Sequence, residues 1–276
     1  MLLRKLGIAA GLCASLILPT GGALALPQPW EMSFQPPASP VMQDIEDFHR
    51  FVLYIIIAIC LLVFGLLLWI IIRYNHRSNP VPGKVTHNTL LEVVWTIVPV
   101  IILVVIAIPS FKLLYFEADV PPADVTIKAI GHQWFWSYQY PANNFQFDSL
   151  GLSDADDLKK GEPRLLGVDN VVVVPVNKVV KVVTTGADVI HSWAVPQFGV
   201  KMDAVPGRLN ITWFKATAEG TYYGECSELC GARHAYMPIE VRVVSQDAYN
   251  AWLLGAKKKF ASISGSDSGP QVASRQ

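Results

Sequence analysis

Two long apolar stretches restrict what this chain can fold into more than any other feature of its sequence. Residues 51–72 (FVLYIIIAICLLVFGLLLWIII) carry no charged side chain, and a helix needs about 20 such residues to cross the hydrocarbon core of a membrane. A second stretch covers residues 93–114 and includes Pro99 and Pro109, which membrane helices tolerate. We therefore predict two transmembrane helices that form a hairpin.

The distribution of charge predicts which way the hairpin faces. The connection over residues 73–92 carries Arg73, Arg77 and Lys84, whereas residues 26–47 contain neither Lys nor Arg. Because basic loops stay in the cytoplasm, this pattern places the connection inside and both chain ends outside. The charged fraction of 16% is low for a soluble chain, and the net charge of zero argues against a nucleic-acid binder. We expect a membrane protein whose large domain lies outside the cytoplasm.

The amino terminus has the pattern of a secretory signal over residues 1–25. Arg4 and Lys5 are followed by an apolar run and by Ala23-Leu24-Ala25, an A-x-A cleavage pattern. An uncleaved anchor is the alternative, but the apolar run is short and is interrupted by Pro19. The chain would then continue as a periplasmic segment over residues 26–50.

Residues 122–246 change to β-branched and aromatic runs separated by Gly, Pro and Asn, a pattern typical of a β-sandwich or barrel. The runs are VTIKAIG, WFWSYQY, VVVVPV, KVVKVVTT, RLNITWFKA, GTYYGE and IEVRVV. Residues 147–169 are polar and acidic, and we expect a surface excursion there. Residues 247–276 should form a terminal amphipathic helix, beginning near Gln246 and ending near Phe260, and a disordered tail.

Four potential metal ligands lie close together in the segment YYGECSELCGARHAYM: Cys226, Cys230, His234 and Met237. His191, in VIHSWAVP, is a candidate for a fifth ligand. The two cysteines alone would also fit a disulfide, and two cysteines with two histidines would fit zinc. Neither alternative needs a thioether. Thiolate, imidazole and thioether together favour copper, and two adjacent thiolates can bridge two copper ions.

The segments HSWAVPQFGVKMDAVPGR and YYGECSELCGARHAYMP resemble subunit II of cytochrome c oxidase in the haem–copper oxidase family, and the similarity runs from about Phe34 to about Trp252. The resemblance implies an α+β membrane protein with a two-helix transmembrane hairpin followed by a cupredoxin-like Greek-key β-sandwich. It also implies a binuclear copper centre, CuA. In that centre Cys226 and Cys230 bridge the coppers, His191 and His234 each bind one, Met237 is an axial ligand, and the carbonyl of Glu228 completes the set.

The resemblance assigns three further roles. It makes the Glu228 carboxylate a ligand of a magnesium or manganese ion shared with subunit I, although a solvated loop carboxylate is the alternative. Trp134, in GHQWFWSYQY, becomes the residue through which electrons enter, rather than an ordinary core or edge aromatic. Glu92 becomes the entrance of a proton pathway, rather than an interfacial residue without a role.

The function implied is that of the electron-accepting subunit of a proton-pumping cytochrome c oxidase. Its partners would be cytochrome c, subunit I with haem a and the oxygen-reducing site, and subunit III. Acidic residues such as Asp148 and Asp188 are candidates for steering a basic cytochrome. Two rivals remain: a quinol oxidase subunit II, which would lack the copper ligands, and a membrane-tethered copper carrier, which would purify without haem.

Overall fold

The structure, a computed structural model, describes residues 23–25, 30–81 and 83–260, with the side chains of residues 23–25 and 157–159 excepted. Almost all of the predicted signal segment, 1–25, and the predicted disordered tail after Phe260 lie outside the described residues.

Two long helices contain the two predicted spans. Helix α1 covers Pro40–Arg73, and its first turn is capped by the Ser39 hydroxyl, which accepts a hydrogen bond from Met42 N. Helix α2 covers Thr89–Ala118 and is capped in the same way by Asn88. At 1.5 Å per residue α1 is about 51 Å long, which exceeds a hydrocarbon core of about 30 Å. The helices therefore extend beyond the membrane.

The apolar side chains of both helices are mostly exposed within this chain, as shown by Leu61 and Ile108, which are 65% and 72% exposed. Lipid or another protein must cover them, because contact between so much apolar surface and water is unfavourable. Among the described residues, the amino-terminal end of α1 and the carboxyl-terminal end of α2 contact the domain that follows. The Ser39 hydroxyl donates to Phe198 O at 2.7 Å, and the Trp213 indole donates to Glu117 O at 3.2 Å. These contacts fix the hairpin to the domain that follows.

That domain is a sandwich of two β-sheets. The strands of the first sheet are β1 (Ala23–Ala25), β5 (Val172–Pro175), β7 (His191–Val195), β8 (Val200–Ala204), β10 (Gly220–Cys226) and β11 (Pro238–Val244). Their order in the sheet is β5-β11-β10-β7-β8, and β1 pairs in parallel with β10. In the second the order is β4-β3-β2-β6-β9; its strands are β2 (Val125–His132), β3 (Phe135–Tyr140), β4 (Phe145–Ser149), β6 (Val180–Gly186) and β9 (Asn210–Phe214).

Large apolar side chains from the two inner faces fill the space between the sheets. Trp136, Tyr138 and Phe147 come from the second sheet, and Trp193 and Tyr222 come from the first. β2 and β6 pair in parallel although they are distant in sequence, as do β5 and β11, so the connections cross between sheets. The predicted cupredoxin-like Greek-key sandwich after a two-helix hairpin is confirmed.

Two details of the sequence prediction were wrong or incomplete. The expected surface excursion over residues 147–169 begins too early, because β4 runs to Ser149 with Phe145 and Phe147 buried and Asp148 exposed. The alternating pattern is short, and the acidic residues around it conceal it. The excursion proper follows β4 and contains the short helix α3 (Asp154–Lys160). The other strands missing from the prediction are β7, β8 and the short β1, which lies in the predicted signal segment. The terminal helix α4, Gln246–Phe260, is found where it was expected.

Candidate metal centre

Strand register brings the predicted ligands together. His191 is the first residue of β7 and Cys226 is the last residue of β10, and these strands are antiparallel neighbours with Cys226 opposite Trp193. Cys226 therefore lies close to His191 although 35 residues separate them. The chain leaves β10 at Cys226, turns through Cys230 and a 3-10 turn at His234–Tyr236, and enters β11 just after Met237. Two strand ends and one loop thus hold all five side chains.

The ligand atoms form a compact cluster. The two sulfur atoms, Sγ of Cys226 and Sγ of Cys230, are 3.8 Å apart. His191 Nδ1 lies 3.9 Å from the first sulfur, and His234 Nδ1 lies 3.5 Å from the second. Met237 Sδ is 3.6 Å from Cys230 Sγ, and the carbonyl oxygen of Glu228 is 3.4 Å from Cys226 Sγ. Each thiol thus has an imidazole nitrogen beside it.

These distances suit soft metal ions. A disulfide needs sulfur atoms about 2.05 Å apart, whereas these cysteines are free thiols at nearly twice that distance. Metal–sulfur bonds of about 2.3 Å allow one ion to bind two sulfur atoms up to about 4.6 Å apart. Every neighbouring pair in the cluster is within that limit. The donor set of two thiols, two imidazoles, one thioether and one carbonyl favours copper.

Most of the site is closed to water. His191 is completely buried, while Cys226, Cys230 and Met237 are 5%, 4% and 1% exposed. His234 is the exception, since it is only partly buried on the exposed loop. Soft ligands in a dry and tightly packed site bind metal in a fixed geometry, which favours electron transfer over the binding of a substrate.

Burial and hydrogen bonding act in opposite directions on the ionisation of the site. Burial opposes the thiolate of Cys226, but hydrogen bonds with His191 and with the backbone of Glu228 and Ser192 outweigh it and lower the pKa of this thiol. Burial and then the nearby Cys226 raise the pKa of Cys230. Burial opposes the charged form of His191, but hydrogen bonds with Cys226 and Asp188 prevail and raise its pKa. One thiolate therefore forms easily, and the second needs a cation beside it.

The turn between β2 and β3 lies directly against the ligand loop. The indole Nε1 of Trp134 donates to Cys230 O at 3.2 Å, and the side-chain amide of Gln133 donates to the same oxygen at 2.8 Å. Trp134 is half-buried. The structure therefore places Trp134 one hydrogen bond from Cys230, a predicted ligand.

Asp188 and Gln133 are neighbours of the site whose contacts the sequence did not reveal. Asp188 accepts hydrogen bonds from His191 Nε2 at 2.9 Å and from the backbone N–H groups of Gln133 and Val189. Burial raises the pKa of Asp188, but these hydrogen bonds outweigh it and lower that pKa. Gln133 lies 97 residues from the oxygen it binds. Its position beside Trp134 in GHQWFW is the only local signal.

Two further predicted groups, the Glu228 carboxylate and Glu92, lie apart from the cluster. The Glu228 side chain is exposed and faces a surface depression of 440 Å³, whose lining also includes Lys201, Asp203 and Arg208. Glu92 lies in the first turn of α2, at the opposite end of that helix from the β-sandwich. The structure thus brings the carbonyl of Glu228 to the cluster, directs its carboxylate away, and keeps Glu92 remote.

The fold and the site together define a class: a β-sandwich metalloprotein carried on two membrane helices, with a two-thiol candidate copper site. A family model for the cytochrome c oxidase subunit II periplasmic domain matches residues 125–244, and a model for its transmembrane domain matches residues 27–113. The chain belongs to the cytochrome c oxidase subunit II family. It is therefore a membrane protein and a subunit of a haem–copper oxidase complex.

Individual relatives agree with the family models. The chain is 51% identical over 236 residues to a probable cytochrome c oxidase subunit 2 of Rickettsia bellii, covering 85% of this chain and 87% of the relative. It is 48% identical to cytochrome c oxidase subunit 2 of Cereibacter sphaeroides, covering 84% and 82%. The crystal structure of the periplasmic domain of the Bradyrhizobium japonicum subunit is 60% identical, with a TM-score of 0.48, covering 51% of this chain and 99% of that one.

Proposed function

We propose that this chain accepts electrons from cytochrome c at a binuclear copper centre and passes them to haem a of subunit I. The observation that carries the proposal is the cluster itself. Two free thiols 3.8 Å apart, each beside an imidazole nitrogen, suit two metal ions better than one. When bound, such a centre would take up and release one electron at a time. The chain would be the electron-accepting part of an oxidase whose oxygen chemistry and proton pumping occur in subunit I.

The residues of this chain would divide the work at the copper centre. Cys226 and Cys230 would bridge the two ions, His191 and His234 would each hold one, and Met237 and the Glu228 carbonyl would complete the set. The β-sandwich fixes these donors at the ends of β7 and β10 and on the loop that leads into β11, so the geometry would change little between redox states. That rigidity is what an electron carrier needs, because less reorganisation accompanies each transfer.

Trp134 would provide the path by which electrons enter. Its half-buried indole is partly accessible to a partner on one side and hydrogen-bonded to Cys230 O on the other. A haem edge that docks over this indole would be separated from a copper ligand by one side chain and one hydrogen bond. Cytochrome c is therefore the proposed donor, with subunit III as a further partner in the complex.

Glu228 and Glu92 would serve the boundary with subunit I. The exposed Glu228 carboxylate would help to bind a magnesium or manganese ion, since both ions prefer oxygen ligands and Asp203 lines the same depression. Glu92, at the other end of α2, would admit protons to a pathway in subunit I. Both roles rest on these positions and on the family.

The orientation proposed for the chain puts the copper domain in the periplasm and residues 73–92 in the cytoplasm of a bacterial cell. Cysteines introduced at the exposed positions Ser33 and Ser78 test this orientation in a background that lacks the native cysteines. An impermeant maleimide added to intact cells should label Ser33→Cys and not Ser78→Cys. Labelling of the second position alone would reverse the orientation.

The electron paramagnetic resonance spectrum of the copper-loaded chain tests the binuclear centre. We expect a mixed-valence signal with hyperfine coupling to two equivalent copper nuclei and a copper content of two ions per chain. Cys226→Ser should abolish that signal, because one remaining thiolate cannot form the double bridge. A signal from a single copper in the unaltered protein would refute the binuclear assignment.

A further inference from the structure

A continuous chain of hydrogen bonds joins the two segments that supply the predicted ligands. Asp188 Oδ1 accepts from His191 Nε2 at 2.9 Å, and Asp188 Oδ2 accepts from the backbone N–H of Gln133 at 2.7 Å. The side-chain amide of Gln133 then donates to the carbonyl of Cys230 at 2.8 Å. The connection thus runs from the imidazole on β7 to the loop that follows β10. Neither Asp188 nor Gln133 contacts a ligand sulfur.

The Asp188 end of this connection sets the orientation of His191. An ionised carboxylate only accepts hydrogen bonds, so Asp188 holds a proton on Nε2 of His191 and leaves Nδ1 as the nitrogen whose lone pair can bind a metal. That lone pair is on the side of Cys226, whose sulfur lies 3.9 Å from Nδ1. A carboxylate in this position fixes both the tautomer and the ring orientation of a metal-binding histidine.

The Gln133 end sets the position of the ligand loop. The loop approaches so closely that a Cβ atom at Gly231 would lie 3.2 Å from Gln133 Nε2 and 3.1 Å from Cζ2 of Trp134. Gly231 also has φ of +119°, a backbone conformation that favours glycine. The residue that follows Cys230 thus provides the close approach that the hydrogen bond to Gln133 requires.

We propose that Asp188 and Gln133 are positioning residues that hold His191 and Cys230 in the metal-binding arrangement before copper arrives. This inference rests on the proposed copper site. It also gives Asp188 a role different from the steering of cytochrome c. Its two oxygen atoms accept three hydrogen bonds, including one from Val189 N at 2.6 Å, so the carboxylate is held in place by this chain although Asp188 is exposed at the surface.

Two variants test the connection at its two ends. Asp188→Asn keeps the size of the side chain, but its amide nitrogen is a hydrogen-bond donor. That nitrogen would face either His191 Nε2 or the backbone N–H of Gln133, both of which also donate. Gln133→Glu replaces the donor to Cys230 O with an oxygen that repels it, and Gln133 is exposed enough for the chain to fold around the change. Competition with a Cu(I) chelator should show affinity lowered by about 10- to 100-fold in each variant, the usual effect of removing a partner of a metal ligand. The copper spectrum should broaden or split.

Matched controls lie at the ends of β2 and β3 that are remote from the ligands. Asp124 precedes β2 and accepts from Val179 N at 2.9 Å, so Asp124→Asn alters the same kind of carboxylate contact away from the ligands. Gln139 on β3 bonds to Gln146 at 2.6 Å, so Gln139→Glu matches the second change. Both controls should keep the copper affinity and the spectrum of the unaltered protein.

The outcomes separate this inference from the proposed function. Variants with unaltered copper affinity and spectrum would overturn the positioning role and leave the binuclear site intact. Equal weakening in variants and controls would also overturn it, because the effect would then be one of general stability. If Asp188→Asn changes only the affinity for cytochrome c, the carboxylate is a docking residue. Absence of a binuclear signal in the unaltered protein would instead refute the proposed function.

Discussion

The two segments that supply the candidate ligands differ in how firmly the fold holds them. The segment that starts at Asp188 continues into β7, where all five residues from His191 to Val195 are buried between other strands. The segment from Cys226 to Met237 is anchored at its two ends, but several residues between them are exposed, including Glu228 and Leu229, the latter by 80%. His191 has a carboxylate partner, and His234 is partly open to solvent.

This difference indicates how the site can be both rigid and loadable. The buried segment fixes one imidazole and, through Asp188 and Gln133, the carbonyl of Cys230. The exposed segment offers the only partly open ligand side chain of the five, so an incoming ion would meet His234 first. The buried segment thus keeps the reorganisation on electron transfer low, and the exposed segment allows the metal to enter.

The largest effect should come from removing each histidine in turn. In His191→Gly the lost ring leaves a completely buried space, whereas in His234→Gly the space opens to solvent. Both variants should lose more copper affinity than the roughly 10- to 100-fold typical of an outer partner. Added imidazole should restore the binuclear spectrum of His234→Gly and leave His191→Gly unrestored. Restoration of both variants at the same imidazole concentration would mean that the two segments are equally accessible.

The sequence allowed some of the site to be predicted and concealed the rest. The loop ligands were evident because Cys226, Cys230, His234 and Met237 are close in sequence, and no knowledge of the fold is needed to group them. His191 was only a candidate from its residue type, and its place in the ligand set, like the role of Trp134, came from the family resemblance. The contacts of Asp188 and Gln133 depend on pairing between strands, since 55 residues separate these two, and spacing along the chain carries no trace of such contacts.

The same limit applies to the prediction of the fold from the sequence. Uniform apolar runs predicted the two helices, because length and composition alone decide whether a segment can cross a membrane. β4 was missed, because only Phe145 and Phe147 mark its buried face in an otherwise polar segment. Buried β7 lacks the alternation of a half-exposed strand and therefore gave no clear periodic signal.

The next largest effect should come from Trp134→Gln, which tests whether electrons reach the exposed ligand loop through the indole. The copper content and spectrum should persist, because Gln can still donate a hydrogen bond. The rate of reduction by docked cytochrome c should fall, because loss of the indole lengthens the gap that the electron must cross to reach the copper ligands. Stopped-flow reduction measures this rate, and a small-molecule reductant should be less affected.

Phe135→Leu is a suitable control, because Phe135 stacks on His132 at 4.5 Å and makes no hydrogen bond to the ligand loop. Its reduction rate should match that of the unaltered protein. Equal slowing of Trp134→Gln with both reductants would indicate damage to the copper site, and unchanged reduction by cytochrome c would mean that electrons enter elsewhere.

Glu92→Ala should leave both ligand segments as they are and act only on proton supply. In the assembled oxidase we expect turnover to fall by roughly tenfold, below the 10²–10⁴ that a positioned proton-transfer group contributes to catalysis. The rate of copper reduction and the copper spectrum should not change. Asp119→Ala, at the other end of α2, serves as the control. Full turnover of Glu92→Ala across a pH range would make Glu92 an interfacial residue without a role.

The last prediction concerns stability rather than electron transfer, and it contrasts the carboxylates beside the two segments. Asp188 has a lowered pKa, whereas Glu240, on the strand that leaves the second segment, has its pKa raised to about 7 by burial and then by Glu162. Val168 N donates to Glu240 at 3.2 Å, and Arg242 lies 3.1 Å from its carboxylate. These contacts do not offset the cost of burying the charge, since the Glu240 side chain is only 1% exposed.

A raised carboxyl pKa means that the folded chain retains a proton that the unfolded chain has already released. Between the ordinary pKa of Glu and about 7 the folded state binds more protons, so its stability falls as the pH rises through that window. The full loss is about 3 kcal/mol at 1.36 kcal/mol per pKa unit.

In copper-free protein in detergent, Glu240→Gln should remove most of this decline between pH 5 and 8, because an amide stays neutral and still accepts from Val168. Denaturant unfolding of this variant and of the exposed control Glu219→Gln measures the difference. If the decline persists in Glu240→Gln, another group titrates in this pH window and Glu240 is not its source.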